Sequence, residues 1–198
     1  IDRGLVGSEM CIRDSVGAVG GPDWDDIRVP GGAECQDGLM HMRYHLQTYL
    51  GLRPARCWPN LRHRSSIRPS ILGNADVLIL REMCGGAMFA KERGIKIDKG
   101  RRRGYDMTAY DEIEITRFAR GGFEMARRRN GHLVSCDKSN VMESGRLWRQ
   151  VVSARHADHS DIELIHMLGD NCGMQLVKNP GQFDVILADN MFGDILSD

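Results

Sequence analysis

No stretch of this sequence is apolar for long enough to cross a membrane as a helix, which takes about 20 residues. Net charge is also absent, because 27 Lys and Arg face 27 Asp and Glu. A general nucleic-acid binder carries a basic excess, so that class of partner is not expected. The six cysteines (Cys11, Cys35, Cys57, Cys84, Cys136 and Cys172) include no CxxC spacing. Their scatter argues against a zinc site or a compact disulfide framework. Free or buried thiols in a reducing cytoplasm are the expectation instead. No GxGxxG opens a helix after a strand, so the dinucleotide fingerprint is missing. There is no internal repeat and no low-complexity run. The histidine pairs in "HMRYH" (His41, His45) and "HADH" (His156, His159) have helical spacing but no convincing third ligand nearby.

What is there is enough apolar residue for a core, 41% of 198 residues. That length allows one domain of good size or two small ones. Residues 1–15 read differently from the rest. "LVGSEMCIRDS", Leu5 to Ser15, has no helical or strand period and matches a translated transposase sequencing adapter. They are taken as non-native and set aside, leaving 16–198 as the native part. "SVGAVGGP" reads as a short buried strand running into a tight loop, and Asp23 to Asp37 as a polar loop. "GLMHMRYHLQTYL" predicts a helix with Leu39, Met42, Leu46 and Leu50 on one face. "LRPARCWPNL" is broken by proline and extended. The basic stretch Ile95 to Gly104 reads as an exposed loop.

From there strands and helices alternate. "ADVLILRE", "HLVSC", "IELIHML" and "FDVILAD" are strands. "DEIEITRFARGGFEMARRR" is an amphipathic helix with Ile115, Phe118, Ala119, Phe123 and Ala126 in its stripe. Gly121 and Gly122 in its middle cost about 1 kcal/mol each against Ala. "VMESGRLWRQVV" predicts a helix with Val141, Leu147, Trp148 and Val151 inward. Short helices follow in "NCGMQLVKNP" and "NMFGDILSD". The pattern predicts an α/β fold with a mixed, partly parallel sheet and flanking helices.

Ligands of such folds gather beyond the carboxyl ends of the strands. Arg81, Lys138 and Asp170 fall at those ends, and Asp194 and Asp198 just after one. Arg43 and Arg53 flank the first helix. Asp194 and Asp198, at i and i+4, share one helix face and repel unless something positive lies between them. The pair fits a solvated helix start or half of a metal site. Three carboxylates suit Mg²⁺ or Mn²⁺. Three guanidinium groups suit a substrate with more than one carboxylate. A lysine beside them can serve as a base.

These pieces, in this order, resemble the isocitrate/isopropylmalate dehydrogenase family of β-decarboxylating hydroxyacid dehydrogenases. The matching stretches are "GAVGGPDW", "GLMHMR", "LRPAR", "LILRE", "RFARGGFEMARRR", "DKSNVMES", "RLWR", "MQLVKNP" and "QFDVILADNMFGDILSD". They run from Gly17 to Asp198, and "DKSNV" and "FGDILSD" are the most specific. The resemblance implies the fold of that family and roles for single residues. Arg43, Arg53 and Arg81 would bind substrate carboxylates. Lys138 would be the base, and Tyr110 would protonate the carbon left by decarboxylation. Asp170, Asp194 and Asp198 would hold Mg²⁺ or Mn²⁺. Leu39, Met40 and Val141 would line a pocket for a branched alkyl group. Gly20, Gly21, Gln36 and Asn140 would lie at the NAD site. Lys138 and Asp170 would reach into a second copy's site, so the resemblance implies a homodimer.

The implied activity is NAD-dependent oxidative decarboxylation of 3-isopropylmalate, a 2-hydroxy dicarboxylate, in the cytoplasm, with neither nucleic acid nor membrane as partner. The alternatives are tartrate, D-malate or homoisocitrate as substrate, or a non-catalytic paralogue. The stretch 16–198 is expected to be a partial domain, inactive and poorly folded alone. It departs from the family pattern at "GGAECQDG", at "CGGAMF" and at the paired glycines of the long helix.

Overall fold

The computed structural model describes residues 38–198. They divide after His41, and only the first four belong to the earlier unit, where they open helix α1 (Gly38–Leu46). The later unit, Met42–Asp198, is built on a five-stranded sheet. Its strands are β1 (Leu50–Arg56), β2 (Asp76–Glu82), β5 (His132–Asp137), β6 (Glu163–Leu168) and β7 (Val185–Ala188). Their order in the sheet is β1-β2-β7-β5-β6. β1 runs antiparallel to β2, and the other four strands are mutually parallel. The expected mixed sheet with flanking helices is therefore present. Strands β3 (Arg93–Asp98) and β4 (Arg101–Asp106) form a separate hairpin.

Alternation along the strands feeds two cores, because successive side chains point to opposite faces. Leu78, Leu80, Leu133, Val185 and Leu187 face α3 (Glu112–Arg127) and α4 (Glu143–His156). Val77, Ile79, Val134, Cys136, Ile186 and Ala188 face α5 (Gly169–Lys178) and α6 (Asn190–Ser197). A short helix α2 (Pro69–Leu72) precedes β2. The predicted stripe of α3 is buried in full. The helix starts where Asp111 accepts the Glu114 N–H at 2.8 Å while Glu114 accepts the Asp111 N–H at 2.9 Å. Its two glycines have a packing role, since a Cβ at Gly122 would lie 2.8 Å from Leu187 Cδ1.

Three sequence expectations are corrected. Leu50 does not continue the α1 stripe but opens β1, and Met42 and Leu46 are exposed. The spacing of four carried on across a helix end, where periodicity no longer has meaning. The basic stretch Ile95 to Gly104 is the β3–β4 hairpin, not a loop. Its strands pair with each other, so exposure and regular structure coexist. Val141 does not face the core of α4. It precedes the helix, in the turn after β5, and is exposed.

Candidate active site

The four parallel strands end on one edge, and the polar residues collect there as the strand-end rule anticipates. Arg81, the penultimate residue of β2, is only 4% exposed. A buried guanidinium needs partners for its fork of donors. Its Nε donates to Asn190 Oδ1 at 2.9 Å, its Nη1 pairs with Asp194, and its Nη2 lies 3.1 Å from Met88 Sδ. Gly193 makes this approach possible, because a Cβ there would sit 2.7 Å from Arg81 Cγ. α6 thus lies directly on the arginine. Arg53, on the neighbouring edge strand, reaches the same helix. Its Nη1 donates to Ser197 Oγ and Asp198 Oδ1, both at 2.7 Å, and its Nη2 is 3.5 Å from Asp194 Oδ1.

Burial lowers the proton affinity of Arg81. Asp194 opposes that, Arg53 and Arg43 add to it, and Asp198 opposes it. The guanidinium stays protonated across ordinary pH all the same. Arg43, Arg53, Arg81, Asp194 and Asp198 therefore form one electrostatic cluster, with three positive charges and two negative. The Asp194–Asp198 pair is not a solvated helix start with idle carboxylates. Arg53 bridges the two.

A second cluster sits at the end of β5. Lys138 Nζ donates to Asp170 Oδ1 at 2.7 Å. That hydrogen bond holds the Asp170 carboxyl below the usual carboxylate range. The turn carrying Lys138 is tightly tied. Val141 and Met142 donate their N–H groups to the Lys138 carbonyl at 3.1 and 3.0 Å. Buried Asp137 accepts from the Ser139 N–H at 2.9 Å and from Arg149 at 2.8 and 3.0 Å. Asn140 and Val141 are exposed on this turn. No hydrogen bond or ion pair joins the lysine pair to the arginine cluster among the described residues. Nor do the described residues contain any group of three His, Cys, Asp or Glu able to hold a metal. The three aspartates read as one ligand set thus occupy two places in a single chain. Asp194 and Asp198 fit a divalent ion as two oxygen donors on one helix face, with a third to be supplied from elsewhere.

Tyr110 stands between the clusters. It precedes α3, is buried, and packs edge-on against Trp148 with ring centroids 5.6 Å apart. Its oxygen accepts the Asn190 N–H at 3.0 Å. It shares one small cavity with Lys138 and Asp189, and it also lines a cleft of about 450 Å³ with Tyr44, Phe89 and Glu114. Burial, then the Asp189 and Glu82 carboxylates, push its phenol well above the ordinary range. The side chain keeps its proton, as a general acid must before it acts. The turn against Tyr110, at Gly85 and Gly86, is held by buried Glu82. Glu82 accepts from the Cys84 N–H at 3.0 Å and the Gly85 N–H at 2.7 Å.

Leu39 and Met40 fall in the first turn of α1. Gly20, Gly21 and Gln36 lie outside the described residues. Asp189 and Asn190 carry no role in the sequence reading, although both stand at the carboxyl end of β7. The strand-end rule alone would have marked them. Asp189 caps α6, accepting the Phe192 N–H at 2.7 Å, and burial pushes its carboxyl up to about 6.

The model of the isocitrate/isopropylmalate dehydrogenase family matches residues 14–198. A Brucella suis protein named 3-isopropylmalate dehydrogenase is 50% identical over 184 residues, covering 92% of this chain and 49% of its own length. The Pelagibacter ubique protein of that name is 46% identical over 185 residues, covering 92% and 50%. The chain spans about half the length of these relatives. Among solved structures, a Thermus thermophilus protein superposes with a TM-score of 0.74 at 26% identity, over 87% of this chain and 33% of its own. Isocitrate dehydrogenase from Methylococcus capsulatus has the same fold, with a TM-score of 0.74 at 24% identity over 87% and 49%. With its family model matched across nearly all of its length, the chain belongs to the isocitrate/isopropylmalate dehydrogenase family.

Proposed function

We propose that the full-length protein is an NAD-dependent dehydrogenase that oxidises and decarboxylates 3-isopropylmalate to 4-methyl-2-oxopentanoate, as in leucine biosynthesis. The observation that carries this reading is the convergence of Arg53 and Arg81 on Asp194 and Asp198, with Arg43 near enough to act on Arg81. It lies in a chain half identical to proteins named for that reaction. A substrate with two carboxylates matches the guanidinium forks, and taking them up frees the aspartate oxygens. When bound, Mg²⁺ or Mn²⁺ on Asp194 and Asp198 supplies positive charge to the substrate oxygens, and NAD supplies the hydride acceptor.

The chain's own residues do the rest. Lys138 takes the proton of the substrate hydroxyl as hydride leaves the carbinol carbon. Carbon dioxide then departs and leaves its bonding electron pair on the neighbouring carbon. Tyr110, buried and protonated, delivers a proton to that carbon. Leu39, Met40 and Val141 supply apolar contact for the isopropyl group. Asn140, exposed beside Lys138, and Gly20, Gly21 and Gln36 belong to the NAD side. Lys138 and Asp170, apart from the arginines in one chain, complete the site of a second copy, so the working unit is a homodimer. The compartment is the cytoplasm, and no helix among the described residues is long and apolar enough to cross a membrane.

The test follows NADH absorbance with the full-length protein, Mg²⁺ and a panel of 3-isopropylmalate, D-malate, tartrate, isocitrate and homoisocitrate. Preference for 3-isopropylmalate, abolished by chelator, is the expected result. Preference for another acid would move the pocket assignment. No turnover with any would overturn the reading and favour a non-catalytic paralogue.

A further inference from the structure

Asn190 is 1% exposed and is the first residue of α6. It makes three buried hydrogen bonds to three different elements. Its Oδ1 accepts from Arg81 Nε at 2.9 Å, its Nδ2 donates to the Gly85 carbonyl at 2.9 Å, and its N–H donates to the Tyr110 oxygen at 3.0 Å. From the reading above we infer that Asn190 is a positioning residue, fixing the substrate-binding Arg81 and the proton donor Tyr110 in one geometry.

The chemistry of an amide suits this task. The carbonyl end can face only a donor, and Arg81 carries nothing but donors. The amino end can face only an acceptor, here the carbonyl of the turn that backs Tyr110. A carboxylate would repel that carbonyl, and an alkyl side chain would leave both partners buried and unsatisfied. The main-chain N–H has a separate use. It is one of the unpaired donors at a helix start, and it points at the phenol oxygen. That oxygen gains negative charge as its proton leaves, so the same N–H steadies the phenolate that results. Tyr110 accepts from Asn190, which leaves its own O–H to be aimed elsewhere. One residue thereby links the group that holds the carboxylate with the group that delivers the proton.

The test uses the full-length enzyme and two variants. Asn190→Ala removes both side-chain bonds. It is expected to raise KM and lower kcat, with kcat/KM falling roughly tenfold to a hundredfold. Asn190→Asp keeps an acceptor for Arg81 but loses the donor to Gly85. It is expected to hold KM within about threefold while kcat falls, with kcat taken per folded active site counted by calorimetric stoichiometry so that loss of folded protein does not imitate the split. Combining Asn190→Ala with Tyr110→Phe is expected to be non-additive, because the second change removes what the first misplaces. Cofactor-free affinity for the dicarboxylate, read by calorimetry, should fall with Asn190→Ala and not with Asn190→Asp. If Asn190→Asp fails to fold, the cycle of Asn190→Ala with Tyr110→Phe still tests the Tyr110 arm, and if Asn190→Ala fails, Asn190→Asp alone tests the Gly85 arm. An active wild type with additive variants and unchanged KM overturns this inference alone. A wild type inert toward every hydroxy acid overturns the proposed reaction and this inference with it.

Discussion

Gly145 should be intolerant of even one extra carbon, for a reason that reaches Lys138. It is the third residue of α4, and a Cβ there would lie 2.8 Å from the Lys138 carbonyl carbon and 2.9 Å from the Ser139 nitrogen. Carbon atoms pack at about 3.5–4.0 Å, so one side must withdraw by about 0.7 Å. The three nearest atoms to that Cβ are all backbone, and the turn is pinned by the Val141, Met142 and Ser139 hydrogen bonds. It must therefore move as a unit and carry Lys138 with it. That exceeds the roughly 0.5 Å tolerance of a catalytic constellation.

In Gly145→Ala, helix propensity gains up to about 1 kcal/mol and overpacking costs about 1–3 kcal/mol. Tm should fall by only a few degrees, on the order of 2–4 °C per kcal/mol. A base misplaced by this much should cost roughly tenfold or more in kcat. KM should change little, because the arginines stand on other elements, α1, β1 and β2. The assay is NADH formation at saturating 3-isopropylmalate beside a thermal melt. Wild-type kcat in a folded variant would refute the reasoning.

Asp189→Asn should change how stability depends on pH. Burial raises the folded carboxyl to about 6, above its unfolded value, so the protonated form is the better-tolerated one. The native state then holds its proton longer than the unfolded state does. The contribution of Asp189 to stability is therefore greatest below about pH 4, falls as pH rises toward 6, and is flat beyond, a loss of up to about 3 kcal/mol. Asparagine caps a helix as well but does not ionise. The variant should match the wild type near pH 4 and exceed it in Tm at pH 7, and an equal difference at both would sink the argument. Asp111→Ala removes the reciprocal cap of α3 and should cost about 1 kcal/mol in denaturant melts. An unchanged midpoint would show the cap to be idle.

The sheet was legible wherever burial wrote a pattern into the chain. β2, β5 and β7 are apolar runs between turns, and the α3 stripe keeps its period through two glycines. Arg53, Arg81, Asp194 and Asp198 were legible as charges near strand and helix ends. What was hidden is what three dimensions decide. Spacing cannot tell that Asp170 pairs with Lys138 instead of joining the other two aspartates. Nor can it tell that Gly145 is small because a backbone crosses it, or that Asn190 meets three partners. The hairpin was hidden for another reason. Its strands are mostly charged and exposed, and the one apolar alternation, Ile95 and Ile97, is too short to stand out and faces solvent.

The central claim is that Lys138 of one copy works with the arginines and aspartates of another. Mixing two inactive full-length variants, Lys138→Ala and Asp194→Asn, under conditions that exchange subunits tests it most directly. In a random mixture about half the dimers are hybrids, each with one site free of both substitutions, so activity should return to about a quarter of wild type. A mixture as inactive as its parents, with hybrids demonstrably formed, would contradict the shared site.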